Sequence, residues 1–264
     1  MTAATSPLAF ITGASSGIGQ ALARRFRAAG WRLALVARRE DELRRFVTAQ
    51  GYRETEAQLY VADVAEVASI TAAGRACIER QGLPDTVIAN AGISVGIDSA
   101  RFEDLQVTRD TLQTNVLGVA ATFQPFIEPM RQRRRGALVG VASVAGIRGL
   151  PGHAAYCASK AGVIAYCESL RGECRPFGVR VVTLVPGYID TPLTRGNPYL
   201  MPFLMSADAF ADAAFATVCA GRSYRVIPWQ MAVVAKLLRV LPNGLFDRLF
   251  AGRPRKPRRG EAAP

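Results

Sequence analysis

Short apolar runs alternate along the chain with longer amphipathic stretches. LAFIT (8–12) is apolar almost throughout and predicts a first strand. A glycine-rich turn follows, then a helical stretch from Ile18 to Ala29. RLALVA (32–37) predicts the second strand, with a charged helix from Glu40 to Gln50 behind it. AQLYVA (57–62) and TVIAN (86–90) predict the third and fourth strands, separated by a helix over about 66–80. A long helical region covers about 101–134, where Pro125 and Pro129 are expected to kink it. ALVGVAS (137–143) and VRVVTLVP (179–186) predict the fifth and sixth strands, on either side of a helix over about 154–176. Ser206 to Ala220 reads as a helix and RSYRVIPW (222–229) as a seventh strand. The strands are apolar at nearly every position rather than alternating, which is the pattern of strands buried on both faces of a parallel sheet. Strands alternating with helices of this length predict an α/β fold with helices on both faces. No linker composition appears before about residue 190 and no internal repeat is present. The chain is therefore read as one domain over residues 1–252.

Composition narrows the class. Of 264 residues, 50% are hydrophobic and 20% charged, which excludes a disordered chain. The net charge of +12 raises the question of an anionic partner. Among the 33 basic residues, however, only Lys160, Lys236 and Lys256 are lysines. The arginines are scattered, with no interleaved aromatic platform, so no nucleic-acid partner is expected. The 5 cysteines lack CxxC or finger spacing, which argues against a disulfide framework or a metal site and fits a reducing cytoplasm. The first residues lack a basic region and a long apolar run, and no stretch is long enough to span a bilayer.

TGASSGIG (12–19) lies directly after the first strand and opens the first helix. Gly13 permits a tight turn, while Gly17 and Gly19 let backbone approach a pyrophosphate and let the helix pack on the sheet. The helix N-terminus then offers free N–H groups to phosphate, with Ser15, Ser16 and Ile18 in the same turn.

This turn resembles the TGxxxGIG signature of the short-chain dehydrogenase/reductase family. The resemblance continues through Asp63-Val64, Asn90-Ala91-Gly92, Asn115, Ser143, the YxxxK pair Tyr156 and Lys160, and Pro186-Gly187 with Thr191. Ala89 stands where the family's NNAG has its first Asn. The match covers roughly residues 8–192 and implies a Rossmann-type, doubly wound, parallel seven-stranded sheet. It implies an NAD(P)-dependent enzyme that moves a hydride between cofactor and a carbonyl or secondary alcohol. Tyr156 is then the general acid/base. A free tyrosine, with a pKa of about 10, is a poor base at neutral pH. Lys160 and the oxidised nicotinamide are together expected to lower that value, with Lys160 also holding the nicotinamide ribose, Ser143 polarising the carbonyl, and Asn115 kinking its helix and holding a relay water. Thr191 and the backbone near Ile189 are expected to grip the carboxamide, and Asp63 to face the adenine. A homodimer or homotetramer is implied, paired through the helices carrying Asn115 and Tyr156. At the end of the second strand neither Val36 nor Ala37 is acidic, and Arg38 and Arg39 follow. A carboxylate there would hold the NAD ribose, whereas a guanidinium can fork onto a 2′-phosphate, so NADP(H) is the expected cofactor.

The family match fades after Thr191. Residues 193–212 are expected to form an apolar lid for a hydrophobic substrate. His153, three residues before Tyr156, is read as a loop residue, and Cys157, Cys167 and Cys174 as packing. Residues 229–251 predict two short apolar helices divided at Pro242-Asn243-Gly244, and the basic segment 253–264 is expected to be disordered. Apolar helices beside a basic tail also fit a peripheral membrane contact through 229–264. Two other readings remain at this point: a catalytically silent NADP-binding sensor or scaffold, and a membrane-associated reductase of lipid ketones or alcohols.

Overall fold

The computed structural model describes residues 6–252 and 254–261. In chain order the principal elements are β1 (Leu8–Thr12), α1 (Gly17–Ala28), β2 (Arg32–Ala37), α2 (Glu40–Ala49), β3 (Ala57–Val61), α3 (Val67–Gln81) and β4 (Thr86–Ala89). They continue with α4 (Asp104–Leu112), α5 (Gly118–Arg133), β5 (Gly136–Val141), α6 (Ala154–Cys174), β6 (Val179–Pro186) and β7 (Ile189–Asp190). The chain ends with β8 (Met205–Ser206), α7 (Ala207–Cys219), β9 (Tyr224–Ile227), α8 (Trp229–Val240) and α9 (Asn243–Phe250). Seven strands form one parallel sheet in the order β3-β2-β1-β4-β5-β6-β9, as the apolar runs predict.

The two faces of the sheet follow from strand periodicity. Successive side chains point to opposite sides. Leu8 and Phe10 of β1 accordingly join a core built with α3, α5 and α6, including Phe123 and Phe126. Ala9 and Ile11 join the opposite core, built with α1, α2 and α7, including Phe26 and Phe210. Phe10 meets Phe126 with ring centroids 4.9 Å apart, and Phe26 meets Phe215 edge-on at 4.9 Å. Each such ring contributes on the order of 1.5–3 kcal/mol by leaving water. Local signals set the helix starts. Glu40, Asp41 and Glu42 occupy the first turn of α2, where negative charge suits the helix dipole. Ser206 caps α7 by accepting from Ala209 N at 3.2 Å.

The long helix expected over 101–134 is divided where Asn115 was expected to kink it, and not at the prolines. A π-turn at Gln113–Leu117 separates α4 from α5, while Pro125 and Pro129 lie inside α5 without ending it. The 193–212 segment divides too. Residues 194–204 are irregular, β8 pairs with β7, and α7 has already begun by Ala207. The largest difference concerns the tail. Expected to be disordered, residues 254–261 run along the body, and Gly96 N donates to Pro257 O at 3.1 Å. Arg258 reaches the buried Asp104 carboxylate through two contacts, at 2.7 and 3.1 Å. Charge density alone suggested disorder, but a buried carboxylate elsewhere in the chain supplies the partner.

The C-terminal helices pack on the body through one face only. Met231, Ala235 and Phe246 are buried, whereas Trp229, Val233, Leu237 and Val240 form an exposed stripe along α8. Arg148 fixes the junction between them, donating to Leu241 O at 2.7 Å and to Asn243 Oδ1 at 3.0 Å. Among the described residues no helix is long and apolar enough to cross a membrane.

Candidate active site

The strand order reverses between β1 and β4, so their carboxyl ends open a crevice. Thr12 stitches its floor. Its hydroxyl accepts from Asn90 N at 3.1 Å and Ala91 N at 3.2 Å, and Asn90 Nδ2 donates to Thr12 O at 2.9 Å. A cleft of about 420 Å³ lies above. The turn residues Gly13, Ser15, Ser16, Gly17 and Ile18 line one end. Arg38 and Arg39 line it after β2, and Asp63 and Val64 after β3. Asn90, Ala91 and Gly92 follow from β4, Tyr156 and Lys160 from α6, and Pro186 and Thr191 from beyond β6.

Three residues expected at the cleft lie off it. Gly19 serves packing: a Cβ there would fall 2.7 Å from Gly13 C and far inside contact with the Gly13 carbonyl oxygen. Gly187 lines a neighbouring chamber instead, its N–H donating to Ile227 O at 2.8 Å, and a Cβ there would lie 2.7 Å from Met231 Cγ. Ile189 is buried in β7, and its carbonyl accepts from Thr194 Oγ1 at 2.6 Å.

The cleft passes the test of fit for a dinucleotide on its own geometry. Gly13 and Gly17 have φ of 68° and 51°, the left-handed region that side chains disfavour. A Cβ on Gly13 would sit 2.9 Å from Ala91 Cα, so the turn can press close only as glycine. Behind it Ser16 precedes α1, which has no acidic residue in its first turn to compete with phosphate. The exposed Arg38 lies 3.3 Å from Asp63 Oδ2, so two residues expected at separate parts of the cofactor pair with each other.

Tyr156 and Lys160 occupy one face of α6, with Ser143 just after β5. The Ser143 hydroxyl accepts from Ala145 N at 3.2 Å and hydrogen-bonds Tyr156. Lys160 Nζ donates to Val141 O at 2.9 Å and lies 5.8 Å from the Tyr156 ring centre. Burial pushes Tyr156 up to about 12, with the Ser143 hydrogen bond opposing. Burial also pulls Lys160 down to about 8. The expected lowering of the tyrosine is therefore not a property of this chain alone. The ammonium bonds a carbonyl rather than the phenol, and desolvation outweighs it.

Asn115 sits in the π-turn and is fully buried. Its Oδ1 accepts from Ile93 N at 2.8 Å, and its Nδ2 donates to Ile93 O and to Ser159 Oγ, both at 2.9 Å. Both amide protons are thus engaged within the chain, which leaves a relay water Oδ1 or backbone to bond.

A second chamber of about 360 Å³ opens on the other side of Tyr156. Tyr156 and Leu193 line both spaces. Its walls are apolar, from Leu150 and Leu200 to Val234, Leu238 and Phe250. His153, read from sequence as a loop residue above the helix, does lie in the loop just before α6 and also belongs to this wall. Its Nδ1 faces Pro151 O at 3.2 Å, which can only accept, so Nδ1 carries the proton. Nε2 then accepts from the Tyr199 hydroxyl at 3.2 Å. Desolvation keeps the imidazole neutral by lowering its pKa. Tyr199 and Leu200 enter this wall from the segment expected to form the lid, whereas Tyr188 and the α8 side chains were not legible as site residues, because nothing local marks them. Cys157, Cys167 and Cys174 are buried, as expected of packing residues.

Comparison with known proteins agrees with this geometry. A family model described as short chain dehydrogenase matches residues 7–198. An uncharacterized oxidoreductase of Myxococcus xanthus is 39% identical over 242 residues, covering 90% of this chain and 94% of that protein. A monensin polyketide synthase putative ketoacyl reductase of Streptomyces virginiae is 38% identical over 197 residues, covering 74% of this chain and 75% of its own. Among solved structures, an alcohol dehydrogenase of the archaeon Thermococcus sibiricus, complexed with 5-hydroxy-NADP, superposes with a TM-score of 0.75 at 26% identity. That likeness covers 84% of this chain and 96% of the other. With a parallel sheet reversing over a glycine-lined cleft, and relatives that match most of its length, the chain belongs to the short-chain dehydrogenase family of NAD(P)-dependent oxidoreductases.

Proposed function

We propose that the protein is an NADP(H)-dependent reductase of hydrophobic carbonyl compounds, with Tyr156 as the proton donor. One observation carries the reading: Tyr156 lies in the wall shared by a glycine-lined cleft and an apolar chamber. A carbonyl in the chamber can therefore meet the phenol while the cofactor lies on the other side. When bound, the nicotinamide cofactor supplies the hydride. The chain does the rest. Ser143 donates to the carbonyl oxygen and draws charge onto it, and Tyr156 Oη delivers the proton. The phenol is protonated at neutral pH, as a proton donor to a carbonyl oxygen must be. Lys160 holds the ribose and keeps a positive charge near the reacting oxygen. Asn115 is a positioning residue, tying the π-turn to Ile93 and, through Ser159, to the Tyr156 carbonyl.

The test is a panel of ketones, small to steroid-sized, followed by NADPH absorbance. Turnover of none of them removes the reading. The pH dependence follows from the buried lysine. As pH rises through about 8, Lys160 loses its proton, so kcat/KM for NADPH falls above that pH and is level below about 7. A profile level to pH 10 would remove Lys160 from this role.

Cofactor choice rests on Arg38. Its guanidinium is 62% exposed at the mouth of the cleft, and Asp63 holds it at 3.3 Å. A 2′-phosphate there would receive a forked pair of hydrogen bonds. Arg38→Asp is expected to reduce the preference for NADPH over NADH at least tenfold, about 1.4 kcal/mol. Comparing kcat/KM for the two cofactors on the unmodified protein decides the matter, and a clear NADH preference sinks the assignment.

Homo-oligomerisation is part of the same proposal. Phe102, Leu105, Leu112 and Leu117 stand exposed along the α4 edge beside α6. Exposed apolar side chains grouped in this way suit an interface between subunits.

A further inference from the structure

We propose that Lys256 is the anion-recognising residue of the substrate chamber, so that the preferred substrates are apolar carbonyl compounds carrying a small anionic group such as a carboxylate. This rests on the reductase reading above.

The tail that carries Lys256 fits the body at several points. Arg258 bonds Asp104, which is only 5% exposed, and Glu103 at 3.2 Å. Arg259 bonds Asp110 at 2.8 Å. Without Arg258 the buried Asp104 carboxylate would lose its ionic partner in the tail. Two glycines clear the path. A Cβ on Gly96 would lie 2.7 Å from both Lys256 C and Pro257 O. One on Gly152 would lie 2.8 Å from Arg255 Cδ.

Lys256 then enters the chamber wall, where its Nζ donates to Leu193 O at 2.9 Å. An ammonium has three donors, and this carbonyl uses one. Among the described residues no carboxylate pairs with Lys256, and no Asp or Glu lines the chamber. The other charged group in the wall is already engaged. Arg148 is held by the carbonyls at the end of α8 and by Asn243, and lies 4.1 Å over the Phe246 ring. His153 is neutral, with both ring nitrogens occupied. Lys256 is thus the cation of this wall with donors to spare, in surroundings where desolvation disfavours its charge. An anion arriving on an apolar substrate would restore a partner for that charge. Tyr156 and Lys256 line the same chamber, so a substrate can present its carbonyl to one and its anion to the other.

The experiment compares 9-oxodecanoate with its methyl ester as substrates. The same molecule is offered with and without its charge. The unmodified protein should reduce the acid with kcat/KM at least tenfold above the ester, the difference lying in KM. Lys256→Met should bring the acid down to the ester's value, and Lys256→Arg should retain most of the preference. Calorimetry with decanoate, decyl phosphate and decanol reads the same site without turnover. Both anions, or decanoate alone, should bind at least tenfold more tightly than decanol, and Lys256→Met should abolish the difference. Equal binding of decanoate and decanol overturns the proposal, as does an acid preference that survives Lys256→Met. Loss of NADPH affinity in Lys256→Met also overturns it, because the residue would then be structural. If neither the acid nor the ester is reduced, the reductase reading fails, and the calorimetry still decides the role of Lys256.

Discussion

Tyr156→Phe is expected to lower turnover by about 10³-fold or more while leaving NADPH affinity near that of the unmodified protein. The loss is that of the proton donor, and general acid catalysis contributes about 10²–10⁴-fold. The substitution removes one oxygen and keeps the ring, so α6 and the shared wall retain their packing. The Ser143 hydrogen bond to the phenol disappears, but Ser143 keeps its bond from Ala145 N. Steady-state rates on the best ketone, with NADPH binding by fluorescence, separate chemistry from cofactor affinity. Retention of most of the rate would show that another group delivers the proton. Equal loss of rate and cofactor affinity would show that the hydroxyl serves cofactor binding rather than proton delivery.

Gly19→Ala is expected to weaken cofactor binding about tenfold to a hundredfold, the largest effect on the cleft from a single methyl group. The new Cβ would meet Gly13 C at 2.7 Å and Ala14 Cα at 2.9 Å. These are backbone atoms, so no side chain can rotate away. Either α1 slides outward or the Gly13 turn opens, and both displace the N–H groups that meet phosphate. Overpacking of this kind costs typically 1–3 kcal/mol. The same strain should lower the melting temperature. Unchanged NADPH affinity would mean that the turn and the helix can separate without consequence, and the packing argument would fall.

What could be read from sequence was what depends on neighbours in the chain. The glycine turn, the YxxxK spacing and the apolar strands are local patterns, and each lies in the element expected of it. What could not be read depends on distant partners. Thr12 ends β1 as expected, but its bonds to Asn90 and Ala91 just beyond β4 are invisible locally. His153 precedes α6 as expected, but its bond to Tyr199 could not be foreseen. The tail looked disordered because its charge was counted without Asp104. The surroundings of Tyr156 were only half legible, because a nearby lysine can be read from sequence and desolvation cannot. The helix breaks at Asn115 as the family resemblance implies, and not at the prolines, because the bonds of Asn115 reach across to Ile93 and Ser159.

The two spaces that meet at Tyr156 are drawn from different stretches of chain. The cofactor cleft uses residues no later than Leu193. Much of the chamber wall comes from Leu193 onward, in the irregular segment, α8, α9 and the tail. The family match stops at residue 198. With the chamber as the proposed substrate site, selectivity falls largely to the last quarter of the sequence, and the proposed redox machinery to the first three. Grafting residues 194–261 onto a relative of the same fold should carry substrate preference with them and leave the choice of nucleotide to the host.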